Sequence, residues 1–249
     1  MQPSNATSPS HINDFVRHGL WAWHGDTHNW PLSNSVRRPP SPWEILVGDR
    51  TEETPLLTEY QRQLRDRCLA APVMPAPEPW RPVLGNGTAV GGLLGIGFAA
   101  HPDTGHDLVM VVSTDGHGLY DAVTGERIAR DRDPDPETST PDCHPDLVCP
   151  GLGPIAGVPV RIAGLFGGGL HTGAPGGWTV DVVSPEWPHD RVVLSTGHGI
   201  HKGQAGEAWW HIFDADYSEL RAAGFSPSGR TLAVATSSDL TLWTRPAPH

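Results

Sequence analysis

Four short stretches, "AHPD" (100–103), "CHPD" (143–146), "VSPE" (183–186) and "FSPS" (225–228), put prolines at 102, 145, 185 and 227. The intervals are 43, 40 and 42 residues. No other feature limits the fold of this chain so strongly. A near-constant period of that size marks one supersecondary unit of about four short strands, used again and again. A single unit cannot bury its own apolar face, so the units must stack. Around the prolines the sequence also repeats in kind. "VMVVSTDGHGLYDAVTGERIA" (109–129) parallels "LAVATSSDLTLWTR" (232–245), each an apolar strand, a turn of Ser, Thr, Asp and Gly, and a second strand with an aromatic. A third copy runs through "RVVLSTGHG" (191–199) and resumes at "AWWHIFDADYSELRAAGFSP" (208–227). With 29 Gly and 26 Pro among 249 residues, long helices are disfavoured and short strands with many turns are expected.

"GFSPSGRTLAVATSSDLTLW" (224–243) resembles the first three strands of a WD40-type repeat. "GLYDAVTGERIA" (118–129) resembles the third-to-fourth-strand stretch, with Tyr120-Asp121 in the Trp-Asp place and Thr124-Gly125 in the turn that follows. Trp243 is followed by Thr rather than Asp, there is no Gly-His dipeptide in the usual place, and residues 145–183 fit poorly. The resemblance implies an all-β fold, a small propeller-like array of about four blades over residues 84–249. It also implies a scaffold that holds a protein or peptide partner on one face. The last unit stops after its third strand. "NGTAVGGLLGIGFA" (86–99) has the character to supply the missing fourth, which would remove an exposed sheet edge.

Residues 1–83 read differently. An arm rich in His and Trp leads to one helix over 51–71, expected to be capped by Thr51 or Thr54. Leu56, Leu57, Tyr60, Leu64 and Cys68 form its apolar stripe. "APVMPAPEPWRPV" (71–83) reads as a stiff Pro-rich linker before the sheet domain.

The net charge of −11 argues against a nucleic-acid partner. No run of 18 apolar residues is present and the N-terminus lacks the pattern of a secretory signal, so no membrane association and a cytoplasmic location are expected. Three cysteines, Cys68, Cys143 and Cys149, suit a reducing compartment. "GIGFAA" (95–100) lacks the helix that a dinucleotide fingerprint requires, and "GFSPSG" lacks the strand-to-helix turn of a nucleophile elbow.

Two groups of residues carry the functional expectations. The turn "STDGHG" (113–118) and the longer loop "STGHGIHKGQAGEAW" (195–209) sit at equivalent places in the repeat. The resemblance to WD40 repeats implies that such turns lie on one partner-binding face, which would bring together Asp115, His117, His198, His201, Lys202 and Trp209. Separately, "HGDTHNW" spaces His24, Asp26 and His28 so that an extended strand turns all three one way, a donor set suited to zinc or another divalent metal. The leading expectation is an intracellular binding scaffold with no cofactor. The alternatives are a metal-dependent, hydrolase-type enzyme using such a His/Asp cluster and a self-assembling structural protein.

Overall fold

A computed structural model describes residues 57–83, 85, 87–141, 146–197 and 199–246. The architecture is all-β, built from antiparallel sheets of short strands. Sheet 1 is a meander of β3 (Leu93–Ala100), β4 (Asp107–Ser113), β5 (Gly116–Asp121) and β6 (Arg127–Asp131). Sheet 2 joins β10 (Gly173–Ala174), β11 (Trp178–Glu186), β12 (His189–Thr196) and β13 (Trp209–Asp214). Sheet 3 runs β14 (Leu220–Phe225), β15 (Thr231–Thr236) and β16 (Asp239–Thr244). The first part of the poorly repeating stretch holds the pair β7 (Val148–Pro150) and β8 (Pro159–Arg161), plus β9 (Ala163–Gly164), which pairs with β3 of sheet 1. Three of the sheets are thus meanders or contain one. Pro102 and Pro227 lie in the turns after β3 and β14, and Pro185 lies at the end of β11.

The fourth strand of sheet 3 comes from the other end of the described chain. β1 (Arg81–Pro82) and β2 (Thr88–Ala89) both pair antiparallel with β16. Only the first part of the stretch expected to do this takes the role, since Leu93–Ala100 is already the first strand of sheet 1. The Pro-rich segment is also more than a spacer. Met74 N–H donates to His211 O along the free edge of β13, and Trp80 is buried in the core against Trp178 and Phe225.

Strand alternation gives each sheet two apolar faces, and both are covered. In sheet 1, Val109, Val111 and Tyr120 face Ala233, Ala235, Leu240 and Leu242 of sheet 3. Met110, Val112 and Leu119 face the other way, toward Cys149, Val160 and Ile162. In sheet 2, Val192, Leu194 and Ile212 pack on Trp80 and sheet 3, while Val193 and Trp209 pack under a helix.

That helix, α1 (Glu59–Ala70), starts one turn later than a Thr54 cap would allow. Thr58 is its N-cap, and Gln61 closes a capping box by accepting from Thr58 N–H. Leu64 and Cys68 are the buried members of its stripe, whereas Tyr60 is exposed. Two further helices are single turns, α2 (Pro136–Ser139) and α3 (Gly199–Lys202). Among the described residues no helix is long and apolar enough to cross a membrane.

One buried carboxylate ties sheet 1 to sheet 3. Asp107 Oδ2 accepts from Ser226 Oγ at 2.8 Å, Ser228 Oγ at 2.6 Å and Thr231 Oγ1 at 2.9 Å. Asp107→Ala leaves these hydroxyls without their acceptor, those of Ser226 and Thr231 in the buried junction, which costs about 2–4 kcal/mol. Denaturant unfolding should report a loss of that size; a change below about 0.5 kcal/mol would show that the sheets are held by apolar contact alone.

Candidate functional site

The site begins with the period-2 geometry of sheet 1. The register pairs Val111 with Gly118, Gly118 with Arg130, and Tyr120 with Arg127. These side chains therefore share one face, the face turned toward sheet 3. Gly118 contributes no side chain there. A Cβ at that position would lie 3.2 Å from the Tyr120 ring and 3.8 Å from Arg127 Cδ, so glycine keeps the space open. Residues Ala89–Gly91, which lead from β2 toward β3, form the opposite wall. The result is a half-open cleft of about 100 Å³ lined also by Ser113 and Asp115. Gly116, at φ +110, makes the sharp turn beside it.

The charges around the cleft are unequal in number and unpaired. Arg127 and Arg130 are exposed, and among the described residues neither has a hydrogen-bond or ion-pair partner. Asp115 is exposed at the turn and likewise unpaired. Just behind the site, Asp121 is tied into its own turn. It accepts from Val123 N–H at 2.8 Å and Thr124 N–H at 3.0 Å and pairs with His106 Nδ1 at 2.9 Å. Burial raises its pKa, but the hydrogen bonds from His106, Thr124 and Val123 outweigh that and hold it below the usual carboxylate value. Asp121 thus shapes the β5–β6 turn that presents Arg127.

The expected site residues divide. Asp115 lines the cleft. His117 touches it only as part of the strand. It alternates with Gly118, pairs with Val112 and Asp131, and is 5% exposed, so its ring belongs to the opposite face. The loop after β12 is longer than the turns after β4 and β15, as the sequence suggests. It folds onto α1, however, and not toward Asp115. His201 Nδ1 lies 3.1 Å from Tyr60 Oη, and Arg67 reaches Gly203 O. Lys202 is exposed on α3. Trp209 is a correction to the expected surface role. It is 2% exposed under α1, donates Nε1–H to Gly203 O and carries the Arg67 guanidinium over its ring. Apolar burial wins for this indole because the helix covers that face of sheet 2. His198, His24, Asp26 and His28 lie outside the described residues. Among the described residues, no three His, Cys, Asp or Glu side chains come together as a metal site.

Arg127 and Arg130 escaped the sequence reading. Their only signal was an i, i+3 spacing that looks unremarkable on a strand; the β-bulge between Leu119 and Tyr120 is what brings both onto the Gly118 face. The chain matches no family model, no curated protein sequence and no solved structure.

His117 supplies a check on this geometry. Burial pushes its pKa below the ordinary imidazole value, against the pull of the Asp131 carboxylate. The folded state therefore holds it neutral. Its contribution to stability is complete above the unfolded value of about 6.5 and is lost as pH falls below that toward the folded value. Thermal midpoints measured between pH 7.5 and 5 should fall less steeply for His117→Gln than for the wild type. Identical slopes would mean that the ring is solvated on the cleft side.

Proposed function

We propose that the chain is an intracellular protein- or peptide-binding module, a propeller-like array resembling WD40 repeats, that receives an acidic side chain of its partner in the sheet 1 cleft. The observation that carries this reading is a pair of unpartnered guanidiniums, Arg127 and Arg130, beside a cleft of about 100 Å³. Small-molecule and cofactor sites usually enclose about 300 Å³ or more, so a space of this size suits one inserted side chain and not a whole cofactor. Arginine offers a planar fork that matches a carboxylate in two-point contact. In a chain of net charge −11, two unneutralised arginines on one face of one short strand give an acidic segment a place to dock. Asp115 at the rim selects against a ligand that is negative throughout and favours an acidic residue flanked by neutral or basic ones.

A random peptide library selected on the purified full chain should enrich sequences with Asp or Glu at one fixed position. Arg127→Ala with Arg130→Ala should weaken the best peptide by about tenfold or more, since each charge-assisted contact is worth about 1–3 kcal/mol. Enriched peptides without an acidic residue, or a double variant that binds as the wild type does, would refute the reading.

A further inference from the structure

The last strand of each meander meets its surroundings differently. β16 is paired along its outer edge by β1 and β2, and Met74 N–H donates to His211 O on the outer edge of β13. β6 ends sheet 1 with β5 on one side and no strand on the other. Among the described residues, no backbone group outside β5 donates to or accepts from the backbone of Arg127–Asp131. None of these residues is buried. In an antiparallel pair about every second residue of an edge strand turns its N–H and C=O away from its neighbour. The outer edge of β6 therefore offers an unused row of donors and acceptors.

The bulge opposite Leu119 and Tyr120 makes the two faces of this edge chemically unlike. Arg127 and Arg130 stand on the cleft face, paired in register with Tyr120 and Gly118. Ile128 and Ala129 pack on the far face, with Leu152, against the cluster of Met110 and Leu119. A strand added to β6 would continue the same alternation. One set of its side chains would lie beside the guanidiniums, and the set between them beside Ile128. Residues directly opposite in paired strands bring their Cβ atoms to about 5 Å, within reach of an ion pair. The edge therefore suits a strand with an acidic residue between two apolar, β-branched ones. A second copy of β6 is a poor occupant, since it would set Arg127 and Arg130 of one copy against those of the other, and like charges across a strand pair are destabilising.

We propose that β6 is a strand-addition site, where an extended segment of a partner protein pairs through its backbone as a further strand of sheet 1 and sets one Asp or Glu against Arg127 and Arg130. This pairing, which rests on the reading of the cleft as the acceptor of an acidic side chain, adds the form of the partner. In this mode of recognition main-chain hydrogen bonds supply affinity and alternate side chains supply specificity. The cleft by itself selects one side chain. The edge beside it also fixes the conformation and register of the chain that carries that side chain.

The test is calorimetric titration of the full chain with the capped peptide Thr-Val-Glu-Val-Thr and with two N-methylated forms of it. One form carries the methyl on the Glu nitrogen, the other on the nitrogen of the Val that follows. Adjacent amides of a strand point to opposite sides, so only one of the two methyls can face β6. The expected result is saturable binding of the parent peptide, binding weakened by about tenfold or more for one methylated form, and near-parent affinity for the other. A peptide with Gln in place of Glu should also bind about tenfold more weakly. These changes lie in the peptide, so the folding of the protein is not in question. Absence of saturation by the parent peptide, equal weakening by the two methylations, or no weakening by either would overturn the proposal. Failure of the cleft reading has a different signature. The Gln peptide, and the protein carrying Arg127→Ala with Arg130→Ala, would then bind as the parent pair does, whatever the methylation pattern. A weakened Gln peptide with equal methylation effects would remove the paired strand alone.

Discussion

The fold depends on β16 having a partner on its outer edge. That partner is the segment that also launches sheet 1. Arg81 and Pro82 pair with Thr244 and Trp243, Val83 N–H donates to Leu242 O, and Thr88 and Ala89 pair with Leu240 and Asp239. Val90 and Leu93 then donate to Ser238 O and Ser237 O before the chain continues as β3. An unpaired β16 would present a row of backbone donors and acceptors to other chains. Filling that row from residues 81–93 joins sheet 3 to sheet 1 through the backbone itself. It also fixes Ala89–Gly91 as a wall of the cleft, so the same pairing that closes an edge creates the candidate site.

Around this pairing, buried polar groups fix how neighbouring sheets sit. Asp107 accepts three hydroxyls from the β14–β15 region. Arg245, buried without a carboxylate, donates to Gly229 O and Pro175 O and lies 4.8 Å from the centre of the Trp80 ring. Burial pulls its pKa down from the usual guanidinium value, and the carbonyl dipoles and the aromatic face stand in for water. These contacts are directional where apolar packing is not. They specify one arrangement among the many that Val, Leu and Ala faces would tolerate.

The candidate site follows from a local imbalance of charge. In sheet 1, glycine at 118 leaves a gap and the neighbouring arginines find no acid. In sheet 2, Arg191 and His211 serve the carbonyls at the end of α1. Those carbonyls have no partner within the helix and attract cationic and N–H donors.

The period of about 42 residues, the alternating apolar strands and the turn residues were all legible in the sequence, and they are local properties: strand formation, turn type and burial pattern depend on neighbours a few residues away. On that basis an all-β fold of about four units, a helix over 51–71, a long loop in the third unit and a strand supplied from before the first unit were expected; three meanders and a shorter helix are present among the described residues. What lay out of reach were facts about faces and partners. Trp209 and Trp210 look equivalent in sequence, yet α1 buries the first and Trp178 lies beside the second. His117 looks like a surface residue in a Gly-rich turn, yet register sends its ring into the sheet's far face. Arg127 and Arg130 become a pair only through a bulge, and Arg191 and His211 turn to backbone carbonyls only because a helix from far upstream docks beside them. The sequence by itself determined that the chain folds as short antiparallel strands joined by many turns. Tertiary structure decided which side chains were left unsatisfied, because that depends on contacts between residues more than a hundred positions apart.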